Sequence, residues 1–179
     1  MSYTVDYDKF YKEDLAACGK PFKEFEIFFK KNIQEAMSVL DLGCGQGRDA
    51  ILVAKMGAHV VGVDVSTVGL KQLNRIAKKE KLKIETIVSD LVDFKTRKRF
   101  DVIILDRVLH IVATEHEREQ VLEKSITYLR KSGYILIADT PLNIISFRKY
   151  LKKNNSQLKY VLDNKNYLFV QKWLYILKT

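Results

Sequence analysis

The sequence predicts an α/β fold with a mostly parallel sheet, helices on both faces and an antiparallel hairpin at the C-terminal end. The first observation is a regular alternation of short apolar runs with amphipathic segments, which is typical of parallel α/β sheets. The second is a pair of strand-like runs, 157–163 and 167–177, joined by a short polar turn. The third is the length of 179 residues, which fits one domain over the whole chain. We expect a helical N-terminal cap at 1–35 and an α/β core at 36–179.

Five strands are predicted from the apolar runs that precede the hairpin. The run SVLDL is interpreted as a buried first strand, and FDVIIL is apolar enough to be covered on both faces of the sheet. In chain order, the predicted strands occupy 38–42, 59–63, 83–88, 100–105 and 134–140.

Apolar residues at helical spacing predict helices between these strands. The predicted helices are 21–32, the segment from the glycine turn to 57, a segment capped by Ser66, 115–130 and 144–153. The residues expected on their buried faces are Phe22, Phe25, Phe29, Leu70, Leu73, Ala77, Leu122, Ile126 and Leu129.

Four aromatic residues near the N terminus, Tyr3, Tyr7, Phe10 and Tyr11, are spaced as one helical face. They are interpreted either as a lid that closes over a ligand or as an amphipathic helix packed on the core. The sequence leaves both interpretations open.

Charge is the unusual feature of the composition. The chain has 31 Lys and Arg residues against 22 Asp and Glu residues, a net charge of +9 and a pI of about 9.4. This balance could favour nucleic acid, but the lysines scatter over several predicted helices and indicate a compositional bias. No apolar run approaches the roughly 18 residues that span a bilayer, and the first residues lack a secretory pattern. We therefore expect a cytoplasmic protein without membrane contact.

The two cysteines, Cys18 and Cys44, are too few for a disulfide framework or a structural zinc site. We expect both to be free thiols, and no metal-binding residues are predicted.

The stretch VLDLGCGQGRDA, residues 39–50, carries the most informative motif. A buried strand runs into Gly43, Gly45 and Gly47 before a helix begins. Glycines at alternate positions tolerate positive φ and let the backbone approach a ligand, while the helix N terminus offers free N–H groups. The turn therefore predicts a site for a nucleotide-like ligand.

Asp64 ends the second strand about 20 residues after the glycines, where a carboxylate accepts hydrogen bonds from ribose hydroxyls. The turn and this acid together indicate a nucleoside-containing ligand. The dinucleotide fingerprint requires glycine or alanine where this chain has Arg48, so a dehydrogenase is disfavoured.

The motifs DLGCGQG and VVGVDVS resemble the first two motifs of class I S-adenosylmethionine-dependent methyltransferases. The resemblance covers almost the whole chain. It implies a Rossmann-like, seven-stranded sheet whose last strand is antiparallel, with S-adenosylmethionine as the cofactor. The string LDLGCGQGRDA is most similar to the small-molecule branch that includes tellurite-resistance and thiopurine methyltransferases.

The resemblance also implies a cofactor site. The first motif would hold the methionine part, Asp64 would bind the ribose, and Asp90 would lie near the adenine amino group. Asp90 can also be a turn residue at a strand end. The implied cofactor-binding residues are Asp41, Gly43, Cys44, Gly45, Gly47, Arg48, Asp64, Val65, Ser66, Asp90, Leu91, Asp106 and Arg107.

Three residues are candidates for the catalytic step. His110 follows the fourth strand, and a histidine there can serve as a general base or simply pack or cap a helix. Arg107 can bind an anionic acceptor or be a solvated charge. Tyr11 belongs to the aromatic N-terminal segment.

The expected acceptor is a small molecule. Residues 106–109 do not match the acceptor clamp of nucleic-acid amino-methyltransferases. Since a soft or anionic acceptor needs no base, a thiol or a chalcogen oxyanion such as tellurite is expected. One alternative is an RNA methyltransferase, suggested by the net charge and the basic residues at 95–99. Another is a cofactor-binding partner subunit without catalysis. The sequence does not indicate an oligomeric state.

Overall fold

The computed structural model describes residues 6–154 and 158–172. Within these residues, no helix is both long enough and apolar enough to pass through a bilayer. The helices are α1 (Tyr7–Glu13), α2 (Lys23–Asn32), α3 (Arg48–Lys55), α4 (Thr67–Glu80), α5 (Glu115–Tyr128) and α6 (Pro141–Asn154), with a short 3-10 helix at Leu109–Ile111. The strands are β1 (Ser38–Leu42), β2 (His59–Asp64), β3 (Ile84–Val88), β4 (Phe100–Asp106), β5 (Leu129–Ala138), β6 (Leu158–Asp163) and β7 (Tyr167–Lys172).

The strands form a seven-stranded sheet in the order β3-β2-β1-β4-β5-β7-β6. β2 pairs in parallel with β1 and β3, and β4 pairs in parallel with β5. β7 is antiparallel to both β5 and β6. The predicted Rossmann-like, mostly parallel sheet with an antiparallel C-terminal hairpin is confirmed. The chain divides into two compact units, Met1–Phe94 and Lys95–Thr179.

In the first unit, α4 shows why the sequence forms these elements. Leu70, Leu73 and Ala77 recur at helical spacing, and all three are buried. Ser66 caps the helix, since its hydroxyl accepts a hydrogen bond from the N–H of Gly69 at 3.0 Å. The predicted cap and buried face of this helix are confirmed.

In the second unit, α5 begins with a capping box. The N–H of Glu117 donates to Thr114 Oγ1 at 3.2 Å, and the N–H of Thr114 donates to Glu117 Oε2 at 2.9 Å. The predicted hairpin is confirmed as β6 and β7, with the Asn164 side chain accepting hydrogen bonds inside its turn. The parts of the hairpin prediction at 157 and 173–177 lie outside the described residues.

The predicted boundary between α5 and the fifth strand is wrong. Leu129, expected on the buried helical face with Leu122, is the first residue of β5 and pairs with Phe100. An irregularity between Phe100 and Val102, together with the left-handed backbone of Ser132 at φ 64°, separates this pair from the regular pairing that follows. The apolar spacing of the helix continues into this irregular part of the strand, so periodicity alone does not separate the two elements.

Two helix starts also differ from the prediction. Phe22 has an extended backbone and precedes α2, so it does not belong to the buried face that contains Phe25 and Phe29. α6 begins at Pro141 instead of residue 144. Proline suits the first helical turn because its missing N–H would have no intrahelical acceptor there.

The aromatic residues of α1 differ in exposure. Tyr11 is 7% exposed and Tyr7 is half-buried, whereas Phe10 is 45% exposed. The ring centroid of Tyr11 lies 5.9 Å from that of Tyr7 and 5.8 Å from that of Phe10, so the three rings are neighbours although only Tyr11 is buried. Tyr3 lies outside the described residues. α1 packs against α4.

Candidate functional site

The turn after β1 holds three glycines in the left-handed region of the backbone. The φ angle is 76° at Gly43, 52° at Gly45 and 86° at Gly47, the N-cap residue of α3. A Cβ atom at Gly47 would collide with the side chain of Leu73, and one at Gly45 would collide with the phenol of Tyr11. Glycine is therefore required at both positions by conformation and by space.

Asp64 connects the end of β2 to this turn. Its Oδ2 accepts a hydrogen bond from the N–H of Gly45 and its Oδ1 accepts one from the N–H of Ser66, both at 2.8 Å. Burial raises the pKa of Asp64, and the hydrogen bonds from Ser66 and Gly45 oppose that effect. Each carboxylate oxygen has a second lone pair, so the carboxylate can also accept hydrogen bonds from a ribose diol. Contact of Asp64 with a nucleoside stays a prediction.

Asp41 is a buried residue of β1, 3% exposed. Burial and the neighbouring negative charge of Asp49 raise its pKa well above the usual value, while the charge of Arg48 opposes the shift. The backbone N–H of Ala50 donates a hydrogen bond to Asp41. The carboxyl group therefore links β1 to the first turn of α3, across the glycine turn.

Two other side chains of the turn face the protein interior. Cys44 is buried, and burial raises the pKa of its thiol well above the usual value. The Arg48 side chain is 7% exposed and donates hydrogen bonds to Asp49 at 2.7 Å and to the carbonyl of Cys18 at 3.0 Å. Arg48 thus holds the N-terminal segment to α3, and Cys44 packs as a small apolar residue.

Gln46, which no sequence pattern singled out, also attaches the N-terminal segment to the turn. Its Nε2 donates to the carbonyl of Asp14 at 2.7 Å and to Gln72 Oε1 at 2.8 Å. Its Oε1 accepts a hydrogen bond from the N–H of Cys18 at 3.2 Å. Gln72 in turn donates to the carbonyl of Tyr11 at 2.8 Å. In the sequence, the one sign that Gln46 attaches this segment is its position between Gly45 and Gly47.

Asp8 attaches α1 to the N terminus of α4. Its Oδ1 accepts hydrogen bonds from Ser66 Oγ at 2.6 Å and from the N–H of Val68 at 3.1 Å, and its Oδ2 accepts one from Thr67 Oγ1 at 3.2 Å. The hydrogen bond from Ser66 is the main reason that the pKa of Asp8 is lowered. α1 is thereby fixed beside the residues that follow Asp64.

The residues predicted to surround an adenine have fewer contacts. Val65 is 49% exposed, and Leu91 is half-buried. Asp90 is exposed, and its Oδ1 accepts a hydrogen bond from the N–H of Val92 at 2.7 Å, which is an Asx turn. The turn alternative for Asp90 is therefore present, and its contact with a cofactor stays a prediction.

In the second unit, Asp106 and Arg107 lie at the carboxyl end of β4. Arg107 has φ 53°, which is uncommon for a residue other than glycine, and its N–H donates to the carbonyl of Ala138 at 2.8 Å. The Arg107 side chain is 48% exposed, and its Nε lies 3.4 Å from Oδ1 of the buried Asp106. An unusual backbone conformation at the end of a parallel strand is typical of ligand sites.

His110 lies in the 3-10 helix that follows β4, and 40% of its side chain is exposed. Asp139, which the sequence patterns did not select, follows β5 and accepts a hydrogen bond from the backbone N–H of His110 at 3.1 Å. Its Oδ2 also lies 3.8 Å from Nδ1 of His110. Asp139 could have been found from the sequence as an acidic residue at the end of a buried strand, because the same pattern identified Asp64.

The basic loop at 95–99 lies at the other end of β4 from Arg107. It precedes Phe100, the first residue of a seven-residue strand. Such a strand spans roughly 20 Å. Arg130, near the start of β5, forms an ion pair with Asp101 at 2.7 Å, also at this amino end. The basic loop therefore lies at the opposite end of β4 from Arg107.

The predicted site residues thus form two groups, one in each unit. The first unit brings the glycine turn together with Asp64, Ser66 and Tyr11, and the second brings Arg107 and His110 to the residues that end β4 and β5. Within residues 6–154 and 158–172, no group of three or more His, Cys, Asp and Glu side chains could hold a metal ion.

Known proteins resemble this chain in both sequence and fold. Residues 33–178 match a family described as a methyltransferase domain. The ubiquinone biosynthesis O-methyltransferase of Pelagibacter ubique is 33% identical over 116 residues, which cover 65% of this chain and 47% of that protein. The chain spans about half the length of the curated relatives it matches.

Two solved structures share the fold. TehB from Haemophilus influenzae has a TM-score of 0.73 at 18% identity, covering 93% of this chain and 66% of that one. The N-methyltransferase NodS from Bradyrhizobium japonicum, solved in complex with S-adenosyl-L-homocysteine, has a TM-score of 0.69 at 14% identity, covering 93% and 97%. By its family match, the chain belongs to the methyltransferase domain family, which confirms the predicted class of S-adenosylmethionine-dependent methyltransferases.

Proposed function

We propose that this protein transfers a methyl group from S-adenosylmethionine to a small-molecule acceptor. The observation that carries the proposal is the contact between the glycine turn and Asp64, whose carboxylate binds the N–H of Gly45 and keeps lone pairs for a ribose. S-adenosylmethionine supplies a methyl group that is already activated. The residues of this chain therefore have to bind and orient the two reactants and to exclude water.

The proposed cofactor contacts follow the chain. They are Asp41, Gly43, Gly45 and Gly47 for the methionine part, Asp64 and Ser66 for the ribose, and Val65, Asp90 and Leu91 for the adenine. Asp106 and Arg107 are proposed to face the cofactor from the end of β4. Cys44 and Arg48 support the turn from the protein side, through burial and through the bonds of the guanidinium group.

The N-terminal cap is proposed to shield the cofactor site. The phenol of Tyr11 lies against Gly45, and hydrogen bonds from Gln46 and Gln72 hold the backbone of this segment. Burial is the main cause of a raised pKa for Tyr11, so its phenol stays neutral near pH 7. Tyr11 can therefore donate a hydrogen bond and exclude water, but it cannot act as a base.

Thiols and chalcogen oxyanions such as tellurite are the first acceptors we propose to test. The motif around Gly45 resembles that of the tellurite-resistance and thiopurine branch, and Arg107 has a half-exposed guanidinium that suits an anion. The relative from Pelagibacter ubique is named an O-methyltransferase, so hydroxyl compounds belong in the same screen.

An RNA acceptor is the weaker alternative. The net charge of +9 favours it. However, the basic loop at 95–99 lies at the end of β4 remote from Arg107. Strongly salt-dependent RNA binding would support this alternative. The other alternative is a partner subunit without catalysis, which would bind the cofactor and methylate no acceptor.

Calorimetric titration with S-adenosyl-L-homocysteine tests the cofactor site, with NAD as the control ligand. We expect micromolar binding of the first ligand alone. Asp64→Ala should weaken binding by about 1–3 kcal/mol, or roughly 5- to 150-fold, because it removes the ribose acceptor. Glu123→Ala removes a carboxylate from the exposed surface of α5 and should bind as the wild type does. Unchanged affinity in Asp64→Ala would refute the ribose assignment.

A further inference from the structure

Asp139 is a buried carboxylate whose hydrogen bonds are all made within the second unit. Its side chain has 0% exposure, and it accepts hydrogen bonds from the N–H of Thr140 at 2.7 Å, Asn143 Nδ2 at 2.7 Å and the N–H of His110 at 3.1 Å. Burial alone would raise its pKa, but the hydrogen bonds and the contact with His110 outweigh burial and lower it. The carboxylate is therefore ionised at neutral pH and fixed in position.

The ring of His110 lies beside this carboxylate and remains accessible. Its Nδ1 is 3.8 Å from Oδ2 of Asp139, and 40% of the side chain is exposed. An ionised carboxylate only accepts hydrogen bonds, so it favours the tautomer with the proton on Nδ1 and leaves the lone pair of Nε2 free. The separation exceeds a direct hydrogen bond, as is common for catalytic pairs before substrate binds.

The elements that hold this pair also carry exposed apolar side chains. Asn143 of α6 binds Asp139, and Ser146 donates a hydrogen bond to Glu115 at the start of α5 at 2.7 Å. The exposed apolar residues next to these positions are Ile111 at 45%, Leu142 at 80% and Ile145 at 56%. Small-molecule sites commonly combine apolar side chains with a few fixed polar groups, and the elements around His110 and Asp139 carry both.

We propose that His110, positioned by Asp139, removes the proton from a phenolic acceptor. This inference rests on the proposed function and narrows its acceptor class. A phenol keeps its proton at neutral pH, since the phenol of tyrosine has a pKa of about 10, so its oxygen needs a base to react. Tellurite is already anionic and a thiol ionises more easily, so neither depends on this pair to the same extent.

The step balances as an acid–base reaction joined to a displacement. The proton of the phenol passes to Nε2 of His110, and an oxygen lone pair forms the new bond to the methyl carbon. The bond from that carbon to sulfur breaks with its electron pair left on sulfur, which loses its positive charge. The imidazolium is stabilised by the carboxylate of Asp139 and then releases its proton to water.

The tautomer of His110 tests the pair without any acceptor. Long-range proton–nitrogen NMR correlation distinguishes Nδ1–H from Nε2–H in a neutral imidazole, and His110→Gln identifies the signal. We expect Nδ1–H in the wild type and a shift toward Nε2–H in Asp139→Asn. The exposed His116, whose Nε2 contacts Gln120, should keep the same tautomer in both proteins. A wild-type His110 with its proton on Nε2 would overturn the proposal.

Methyl transfer to phenol, 4-nitrophenol, 2-mercaptoethanol and tellurite tests the base itself. His110→Gln should lower kcat for phenol by about 100-fold and Asp139→Asn by about 10-fold or more, with KM for S-adenosylmethionine unchanged. The loss should shrink for 4-nitrophenol, which is a stronger acid, and be smallest for tellurite. His110 is partly exposed, so His110→Gln keeps the kinetic test available if the buried Asp139→Asn unfolds.

The outcomes separate this inference from the proposed function. A protein that binds S-adenosyl-L-homocysteine but methylates no phenol overturns the inference alone. Equal losses for phenol and tellurite in both variants also overturn it, because a base acts only on the protonated acceptor. Absence of cofactor binding in the wild type overturns the proposed function and the inference together.

Discussion

Asp64 ends a parallel strand in the first unit and Asp139 directly follows one in the second, but their surroundings shift their pKa values in opposite directions. Asp64 accepts hydrogen bonds from the backbone N–H groups of Ser66, Gly45 and Val65, but burial and the negative charge of Asp8 keep its pKa raised. Asp139 accepts three hydrogen bonds and lies beside His110, which lowers its pKa in spite of burial. The donors around a buried carboxylate therefore decide its charge state as much as burial does. Asp64 is suited to accept further hydrogen bonds from a ligand, whereas Asp139 is suited to act through His110.

The two regions also differ in how they are covered. Gly45 lies under Tyr11, and three residues of the N-terminal segment are held by Gln46 and Gln72. His110 has 40% of its side chain exposed. This difference suits an enclosed site for the methyl donor and an open site for acceptors that enter and leave.

The largest effect is expected from breaking the glycine turn. Gly47→Ala should lower the free energy of unfolding by about 2–4 kcal/mol and abolish cofactor binding, because a Cβ strains the positive φ and collides with Leu73. Gly19 has φ 66° and open space within 4 Å of the position that a Cβ would occupy, so Gly19→Ala should cost only about 1 kcal/mol. Urea denaturation measures both, and equal losses would contradict a steric role for Gly47.

The opposite pKa directions predict opposite pH dependences of stability. The folded pKa of Asp139 lies below 3.8, so its contribution is present above that pH and is lost as pH falls through the folded pKa. The folded pKa of Asp64 lies above 3.8, so ionisation of Asp64 lowers the free energy of unfolding at neutral pH. This loss is reversed as pH falls through the folded pKa. Urea denaturation between about pH 3 and pH 7 measures both effects.

Asn variants isolate these contributions. As pH falls, the wild type should lose stability relative to Asp139→Asn and gain stability relative to Asp64→Asn. If the difference in stability between wild type and variant changed in the same direction with pH for both variants, the hydrogen bonds around Asp139 would not control its ionisation.

The smallest effect is expected from loosening α1. Asp8→Ala removes three hydrogen bonds to the start of α4 and should speed tryptic cleavage after Lys9 about threefold, through local opening. The midpoint of urea unfolding should stay unchanged. Glu13→Ala alters an exposed side chain of α1 whose contact with Lys9 is 4.0 Å long, and it should leave cleavage as in the wild type.

The glycine turn and Asp64 were predictable because their signals are local. The positive φ angles of the turn require glycine, and Asp64 ends a run of buried residues, so both leave marks in contiguous sequence. The strands and the capped α4 were predictable for the same reason. Leu129 was misplaced because one apolar residue satisfies both the helical spacing of α5 and the pairing of β5.

The contacts that join distant residues were less predictable in both units. The bond from the N–H of His110 to Asp139 spans 29 positions, and a backbone donor places no demand on residue type. Asp8 contacts residues 58 to 60 positions away, so its role appears only in three dimensions.

The attachment of the N-terminal segment is made largely through its main chain. Gln46 and Gln72 bind backbone atoms of residues 11, 14 and 18, and Arg48 binds the carbonyl of Cys18. Exposed side chains from Lys12 to Ala16 can therefore change without removing these bonds. Proteins that diverge from this one can vary the surface of this segment while the fold and the glycine turn stay the same. Evolution and protein design thereby have a variable segment on a fixed support.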